Sequence, residues 1–127
     1  MGNYILVAGS RGFDDMDRLE KILEENLMAD DTIVEGGARG VDTMARQWAE
    51  ARGISFIEMK ADWAKYGKAA GPKRNDAMVE FVAEHKGRAL FIWDGKSKGT
   101  KQCIQSAMKK ELSVMIYQED IGNNDNK

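Results

Sequence analysis

Five short apolar runs recur along the chain at even intervals: Tyr4–Ala8, Thr32–Glu35, Ile54–Met59, Arg88–Trp93 and Ser113–Tyr117. They are rich in β-branched and aromatic residues and are predicted to be strands. The segments between them carry apolar positions at helical spacing, clearest at Met78, Phe81, Val82 and His85, at Ile104, Ala107 and Met108, and at Leu19, Ile22 and Leu23. Pro72 suits the first turn of a helix, where a missing N–H leaves no bond unmade. Strand and helix thus alternate through the whole chain, which predicts a parallel sheet covered on both faces. The continuous runs Ile5–Val7 and Ala89–Ile92 fit this, because a strand buried on both sides has no polar face to alternate with. The expected architecture is an α/β, Rossmann-like, doubly wound five-stranded sheet in the order 3-2-1-4-5, formed by one domain over residues 1–118. The polar stretch 119–127 offers little to bury and is expected to be a flexible tail.

The connections divide into two kinds. Those that follow helices are brief, as at Ala29-Asp30-Asp31, Gly53 and Lys86-Gly87. Those that follow strands are longer and rich in glycine: Gly9-Ser10-Arg11-Gly12-Phe13, Gly36-Gly37-Ala38-Arg39-Gly40, residues 60–71, and Asp94-Gly95-Lys96-Ser97-Lys98-Gly99. In an open α/β sheet the carboxyl ends of the strands form the ligand-binding rim, centred where the strand order reverses between the first and fourth strands. The four rim segments, residues 9–15, 36–42, 60–76 and 94–101, carry ten Lys/Arg against six Asp, so a basic rim sits on an acidic body in a chain of net charge −2. Glycines that allow close approach, helix amino termini and arginines together suit a phosphate. The net charge argues against a dedicated nonspecific polyanion binder.

A length of 127 residues, 43% hydrophobic and 31% charged, is that of an ordinary globular domain. The first apolar run is too short for a signal peptide or a membrane span, which predicts a cytoplasmic protein without membrane contact. One cysteine, Cys103, and one histidine, His85, provide neither a disulfide nor a zinc cluster, and no metal or cofactor is expected. His85 reads as a helix-terminus residue, and Cys103 as a helix core residue sharing a face with Thr100, Ile104 and Ala107.

Three common site motifs are incomplete. Gly9-Ser10-Arg11-Gly12 lacks the three-glycine dinucleotide fingerprint, although Glu35 stands where a ribose-binding acid would. Gly95-Lys96-Ser97-Lys98-Gly99-Thr100-Lys101 is one residue short of a Walker A loop and has its Lys and Thr in the wrong order. There is no Gly-x-Ser-x-Gly elbow. Hydride transfer, ATPase and triad hydrolase chemistry are therefore disfavoured.

The segments Gly9-Ser10-Arg11-Gly12-Phe13, Gly36-Gly37-Ala38-Arg39-Gly40-Val41-Asp42, Ala61-Asp62-Trp63, Gly71-Pro72-Lys73-Arg74-Asn75-Asp76 and Trp93-Asp94-Gly95-Lys96-Ser97-Lys98-Gly99-Thr100 resemble, in order and spacing, the YspA-like branch of the SLOG superfamily. The resemblance extends to about Tyr117 and implies a pocket for a nucleotide or an ADP-ribose derivative. Relatives include the lonely-guy phosphoribohydrolases, whose Pro-Gly-Gly-x-Gly-Thr-x-x-Glu loop is matched here by Gly95, Gly99 and Thr100, and whose upstream arginine is matched by Arg74. The final Glu of that loop is replaced by Cys103, and a thiol cannot supply the stabilising carboxylate. Asp42, Asp76 and Asp94 are the candidate substitutes, since cleavage of a glycosidic bond needs a positioned acid or base. The stretch 38–45 also resembles a loop of the DNA-processing protein DprA; binding of a single strand would require a continuous basic groove with stacking platforms. Phe13, Trp63, Tyr66 and Trp93 lie near the rim, as stacking surfaces or as loop anchors.

These readings converge on a binder of a nucleotide or an ADP-ribose/NAD-derived molecule, acting as a sensor or as a sponge with little or no catalysis; a viral protein that removes an immune signal is one form of this. The alternatives are an N-glycosidic hydrolase and, third, a single-stranded nucleic acid binder, nucleic acid being disfavoured. A homo-oligomer is left open. The expected ligand-binding residues are Gly9, Ser10, Arg11, Phe13, Gly36, Gly37, Ala38, Arg39, Gly40, Asp42, Trp63, Arg74, Asn75, Asp94, Gly95, Ser97, Gly99 and Thr100.

Overall fold

Strand β1 (Tyr4–Gly9) lies at the centre of the sheet in a computed structural model that describes residues 2–119. The expected flexible tail lies, beyond Glu119, outside the described residues. Strands β2 (Thr32–Glu35), β3 (Ser55–Glu58), β4 (Arg88–Trp93) and β5 (Ser113–Gln118) complete an all-parallel sheet in the order β3-β2-β1-β4-β5. The strand order reverses between β1 and β4, which pair from Ile5↔Arg88 to Gly9↔Ile92. The helices are α1 (Met16–Asn26), α2 (Val41–Arg52), the short α3 (Trp63–Tyr66), α4 (Ala70–Glu84) and α5 (Lys98–Lys109).

The side-chain alternation of the strands assigns the helices to two layers. Ile5, Val7, Ile33, Leu90 and Ile92 face α1 and α2 and pack on Leu19, Leu23, Val41, Ala45 and Trp48. Leu6, Ala8, Val34, Ala89 and Phe91 face α4 and α5 and pack on Met78, Val79, Val82, Cys103 and Ala107. Both faces of β1 and β4 are therefore dry, which is why those runs contain no polar residue at alternate positions. No helix among the described residues is long and apolar enough to cross a membrane.

Local chemistry sets the boundaries. The Asp15 side chain accepts from Arg18 N at 3.1 Å and begins α1. Residues 60–71, which the apolar pattern leaves as a connection, contain α3, because Asp62 accepts from Lys65 N at 3.1 Å and starts a turn. A 3₁₀ turn over Gly67–Ala69 then leads into α4, with Pro72 in its first turn. His85 is the C-cap of α4; its Nδ1 lies 2.8 Å from Phe81 O and its ring packs between Tyr4 and Phe81, a terminus role.

Candidate functional site

The three rim loops after β1, β2 and β4 meet at Ser10. Its amide donates to Ile92 O at 3.1 Å, its carbonyl accepts from Phe13 N and Val41 N, and its hydroxyl receives Asp94 N at 3.0 Å and the Ser97 hydroxyl at 3.3 Å. Ser10 is buried, so its role is to join the loops. Two glycines make this convergence possible. A Cβ on Gly9 would overlap Ile92 O and come within 2.6 Å of the Val41 side chain, while one on Gly40 would overlap Ser10 O. Gly40 also has φ +76°, a left-handed conformation that side-chain-bearing residues rarely adopt. Phe13 is buried in the core cluster beneath the loop, and is therefore an anchor and not a surface for stacking.

Above this junction is a cleft of about 400 Å³ lined by Ala8, Gly9, Arg11, Gly12, Ala38, Asp42, Arg74, Asn75, Ser97, Lys98, Gly99, Thr100 and Cys103. The amino terminus of α5 opens into it. Ser97, the residue before the helix, makes no side-chain cap, because its hydroxyl is engaged by Asp94 and Ser10. The first N–H groups of a helix have no intrahelical acceptor, so those of Lys98, Gly99 and Thr100 stand at the cleft as donors with the positive end of the helix dipole behind them. Arg74 reaches across from α4; its Nη1 donates to Gly36 O and its Nε to Asn75 Oδ1 at 2.9 Å. Asn75 in turn donates to Gln102 Oε1 at 2.9 Å, fastening α4 to α5. Lys98, within the basic loop after β4, also lines the cleft.

The loop after β2 is built differently from expectation. Gly36 N donates to Asp42 Oδ2 at 2.9 Å and Gly37 N to Glu35 Oε1 at 2.6 Å. Those two amides are satisfied by the protein's own carboxyls and are not the phosphate donors that a glycine-rich loop suggests. Glu35 is fully buried and is not among the residues that line the cleft, so it offers a ribose nothing there. Its in-register neighbour on β3 is Glu58, itself paired with Arg46 at 3.3 Å and Lys60 at 3.6 Å. Burial, reinforced by the hydrogen bond to Glu58 and by the charges of Glu58 and Asp42, pushes Glu35 from 4.5 up to about 8 against the Gly37 amide. Burial thus favours the protonated form of Glu35 more than that of an ordinary carboxyl. Its Oε2 is buried without a hydrogen-bond partner, on the side of Glu58. No sequence pattern announces this pair, because only strand register brings the two residues together.

The three candidate carboxylates have separate surroundings. Asp42, 4% exposed in the first turn of α2, lines the cleft. Burial pushes it up to about 6, opposed by the amides of Gly36 and Ala38 and by the charges of Arg74 and Arg11. Asp76 faces the groove between α4 and α5, where it accepts from Gln102 Nε2 at 2.9 Å and Ser106 Oγ at 2.8 Å; it lies outside the cleft. Asp94 caps its own loop, accepting from Lys96 N and Ser97 N at 2.8 Å each. Burial would raise Asp94, but the bonds from Ser97, Lys96 and Ser10 outweigh it and hold the carboxyl below its ordinary value. Gly95 lies in the same turn and does not line the cleft. Cys103 forms part of the floor, 1% exposed; burial and then the Asp42 charge push its thiol up to about 12, so it is no nucleophile. No group of three or more His, Cys, Asp or Glu among the described residues is arranged to hold a metal ion.

A second cavity of about 380 Å³ adjoins the first and shares Arg11, Ala38 and Arg74 with it. Gly36, Gly37, Arg39, Lys60, Ala61 and Trp63 complete its lining. Trp63 is 51% exposed. Tyr66 is also exposed, with the Lys73 ammonium 4.9 Å from its ring centre, whereas Trp93 is a loop anchor whose Nε1 donates to Ser97 O at 3.1 Å.

Comparison with known proteins agrees with this arrangement. Residues 4–66 match the model of the YspA, cpYpsA-related SLOG family. The chain is 33% identical over 121 residues to the Gene 61 protein of Mycobacterium phage D29, covering 89% of this chain and 94% of that protein. The DNA processing protein A (DprA) of Streptococcus pneumoniae superposes with a TM-score of 0.71 at 20% identity over 96% of this chain, which spans about half (52%) of the DprA chain; that likeness is one of fold. With the strand order, the loop glycines and the family match in agreement, the chain belongs to the YspA-related SLOG family.

Proposed function

We propose that this protein binds a nucleotide or an ADP-ribose/NAD-derived small molecule in the cleft at the carboxyl ends of β1 and β4, serving as a sensor or as a sponge with little or no turnover. The observation that carries this reading is the uncapped amino terminus of α5 facing the guanidinium groups of Arg11 and Arg74 across one cleft. Donors, dipole and fixed positive charge converge there as a phosphate requires. Such contacts act equally on a bound ground state and a transition state, so they confer affinity without rate. A relative encoded by a phage is compatible with a sequestering role. Isothermal titration with ADP and ADP-ribose, together with mass spectrometry of small molecules released on denaturing the purified protein, tests the reading. Arg74→Ala is expected to lose roughly 1.5–3 kcal/mol of affinity, the usual worth of a charge-assisted hydrogen bond. Failure of both nucleotides to bind the wild type at millimolar concentration overturns it.

A second reading rests on Asp42, the candidate carboxyl that lines the cleft. As an acid it would give its proton to a departing base while water adds to the anomeric carbon, and the proton released from that water would return to it. Multiple turnovers releasing free base, abolished in Asp42→Asn, would make this the primary function. Binding to single-stranded DNA, the third reading, is separated by its salt dependence, since log K falls by roughly 0.7 per neutralised phosphate for each unit of log salt.

A further inference from the structure

We infer that the cleft and the second cavity form one two-lobed site, and that the ligand it fits is two-headed: two ring-bearing halves joined by a phosphate bridge that lies at the waist between Arg11 and Arg74, with the second ring stacked on Trp63. This rests on the reading of the cleft as a phosphate-binding site and adds the class of ligand.

The waist is defined by shared residues. Arg11, Ala38 and Arg74 line both cavities, of about 400 and 380 Å³. Each cavity alone lies near the lower end of the range for small-molecule sites, roughly 300–1,000 Å³, and the two together fall well within it. The donors decide where the phosphates go. On the second lobe's side the amides of Gly36 and Gly37 are already given to Asp42 and Glu35, and Gly36 O is taken by Arg74, so that loop has little left with which to cradle an anion. The α5 amino terminus and the two arginines lie at the waist and beyond it, in the first lobe. The free amides therefore place the phosphates at the waist, and the second lobe offers Trp63 for a ring with Arg39 and Lys60 beside it.

The second lobe is furnished for such a ring. Trp63 is held by α3, whose start is capped by Asp62, and one edge of its indole rests on the α4 backbone: a Cβ on Gly71 would stand 3.2 Å from its Cη2. The rest of the ring is exposed. A half-exposed indole fixed in place beside a cavity is a stacking surface whose ordering entropy is already spent. No Asp or Glu lines this lobe, while Arg39 and Lys60 do, so it accepts the electron-rich face of a base or the outer oxygens of the bridge.

The test compares ligands that carry the same phosphates but differ in the number of rings. ADP, diadenosine diphosphate and NAD are titrated into wild type, Trp63→Ala, Trp63→Phe and Lys60→Ala, with Trp63 fluorescence followed in parallel and circular dichroism to verify folding. The wild type is expected to bind diadenosine diphosphate at least about fivefold more tightly than ADP, the low end of the stacking of a base on an aromatic side chain. Quenching of indole emission by the two-ringed ligand should be larger than by ADP. Trp63→Ala should abolish both differences while leaving ADP affinity unchanged, and Trp63→Phe should retain most of the preference. Equal affinity for ADP and diadenosine diphosphate in the wild type, or an undiminished preference in folded Trp63→Ala, overturns the two-headed ligand and leaves the cleft's phosphate site standing. If none of the three ligands binds, the reading of the cleft fails and this inference fails with it.

Discussion

Replacing Glu35 with glutamine probes a fully buried acid that the fold holds above the ordinary carboxyl range. Glu35 is fully buried, its Oε1 accepts from Gly37 N at 2.6 Å, and its Oε2 faces Glu58. Its value is raised from 4.5 to about 8 in the folded protein. The folded state therefore holds a proton between these values that the unfolded chain releases. The stabilisation is fully present below pH ~4.5 and is lost as pH rises through about 8, at up to ~1.36 kcal/mol per pH unit. Asp42, raised from 3.8 to about 6, contributes with the same sign at lower pH, so the range from about pH 6.5 to 7.5 reports on Glu35. Glutamine mimics the protonated acid, with an oxygen for the Gly37 amide and an N–H for Glu58, at nearly the same volume. Urea denaturation at closely spaced pH values should show wild-type stability falling by roughly 1 kcal/mol per pH unit in that range, with a much flatter profile for Glu35→Gln. Comparing the two proteins at each pH cancels the contribution of groups that do not interact with Glu35. Equal slopes would refute the raised value of Glu35.

Two further outcomes follow from the same geometry. Gly40→Ala combines a backbone at φ +76° with overlap of the new Cβ on Ser10 O, so it should destabilise the protein by at least the ~1–3 kcal/mol of a strained backbone site and separate the loops after β1 and β2, measured as a lowered Tm and lost nucleotide affinity. Cys103, buried and pushed up to about 12, should resist iodoacetamide in the native protein at pH 8 and react fully once unfolded, as counted by mass spectrometry; rapid native labelling would contradict the packing of α5 on the sheet.

Much of the architecture was legible in the chain alone. Alternating apolar strands and amphipathic helices, with short turns after the helices and glycine-bearing loops after the strands, specify a doubly wound parallel sheet, and the observed order β3-β2-β1-β4-β5 is the expected one. These signals are local: side-chain period, turn chemistry and continuous burial of Ile5–Val7 and Ala89–Ile92 are each written in adjacent residues. The rim was equally legible as the place of the cleft, which Arg11, Arg74 and the loop 97–100 line, because charge and glycine concentrate there. What each rim residue does was decided by contacts that have no sequence neighbourhood. Phe13 and Trp93 became anchors, Ser10 a junction, Asp76 a member of the α4–α5 groove, and Asp94 the cap of its own loop, while Asp42 reached the cleft. The amides of Gly36 and Gly37 turned inward to carboxyls, which a glycine pattern cannot reveal, since it reports a permitted backbone conformation and not the partner of the N–H. Glu35 and Glu58 are separated by 22 intervening residues and meet only because β2 and β3 pair in parallel at that register, so their proximity belongs to the tertiary structure.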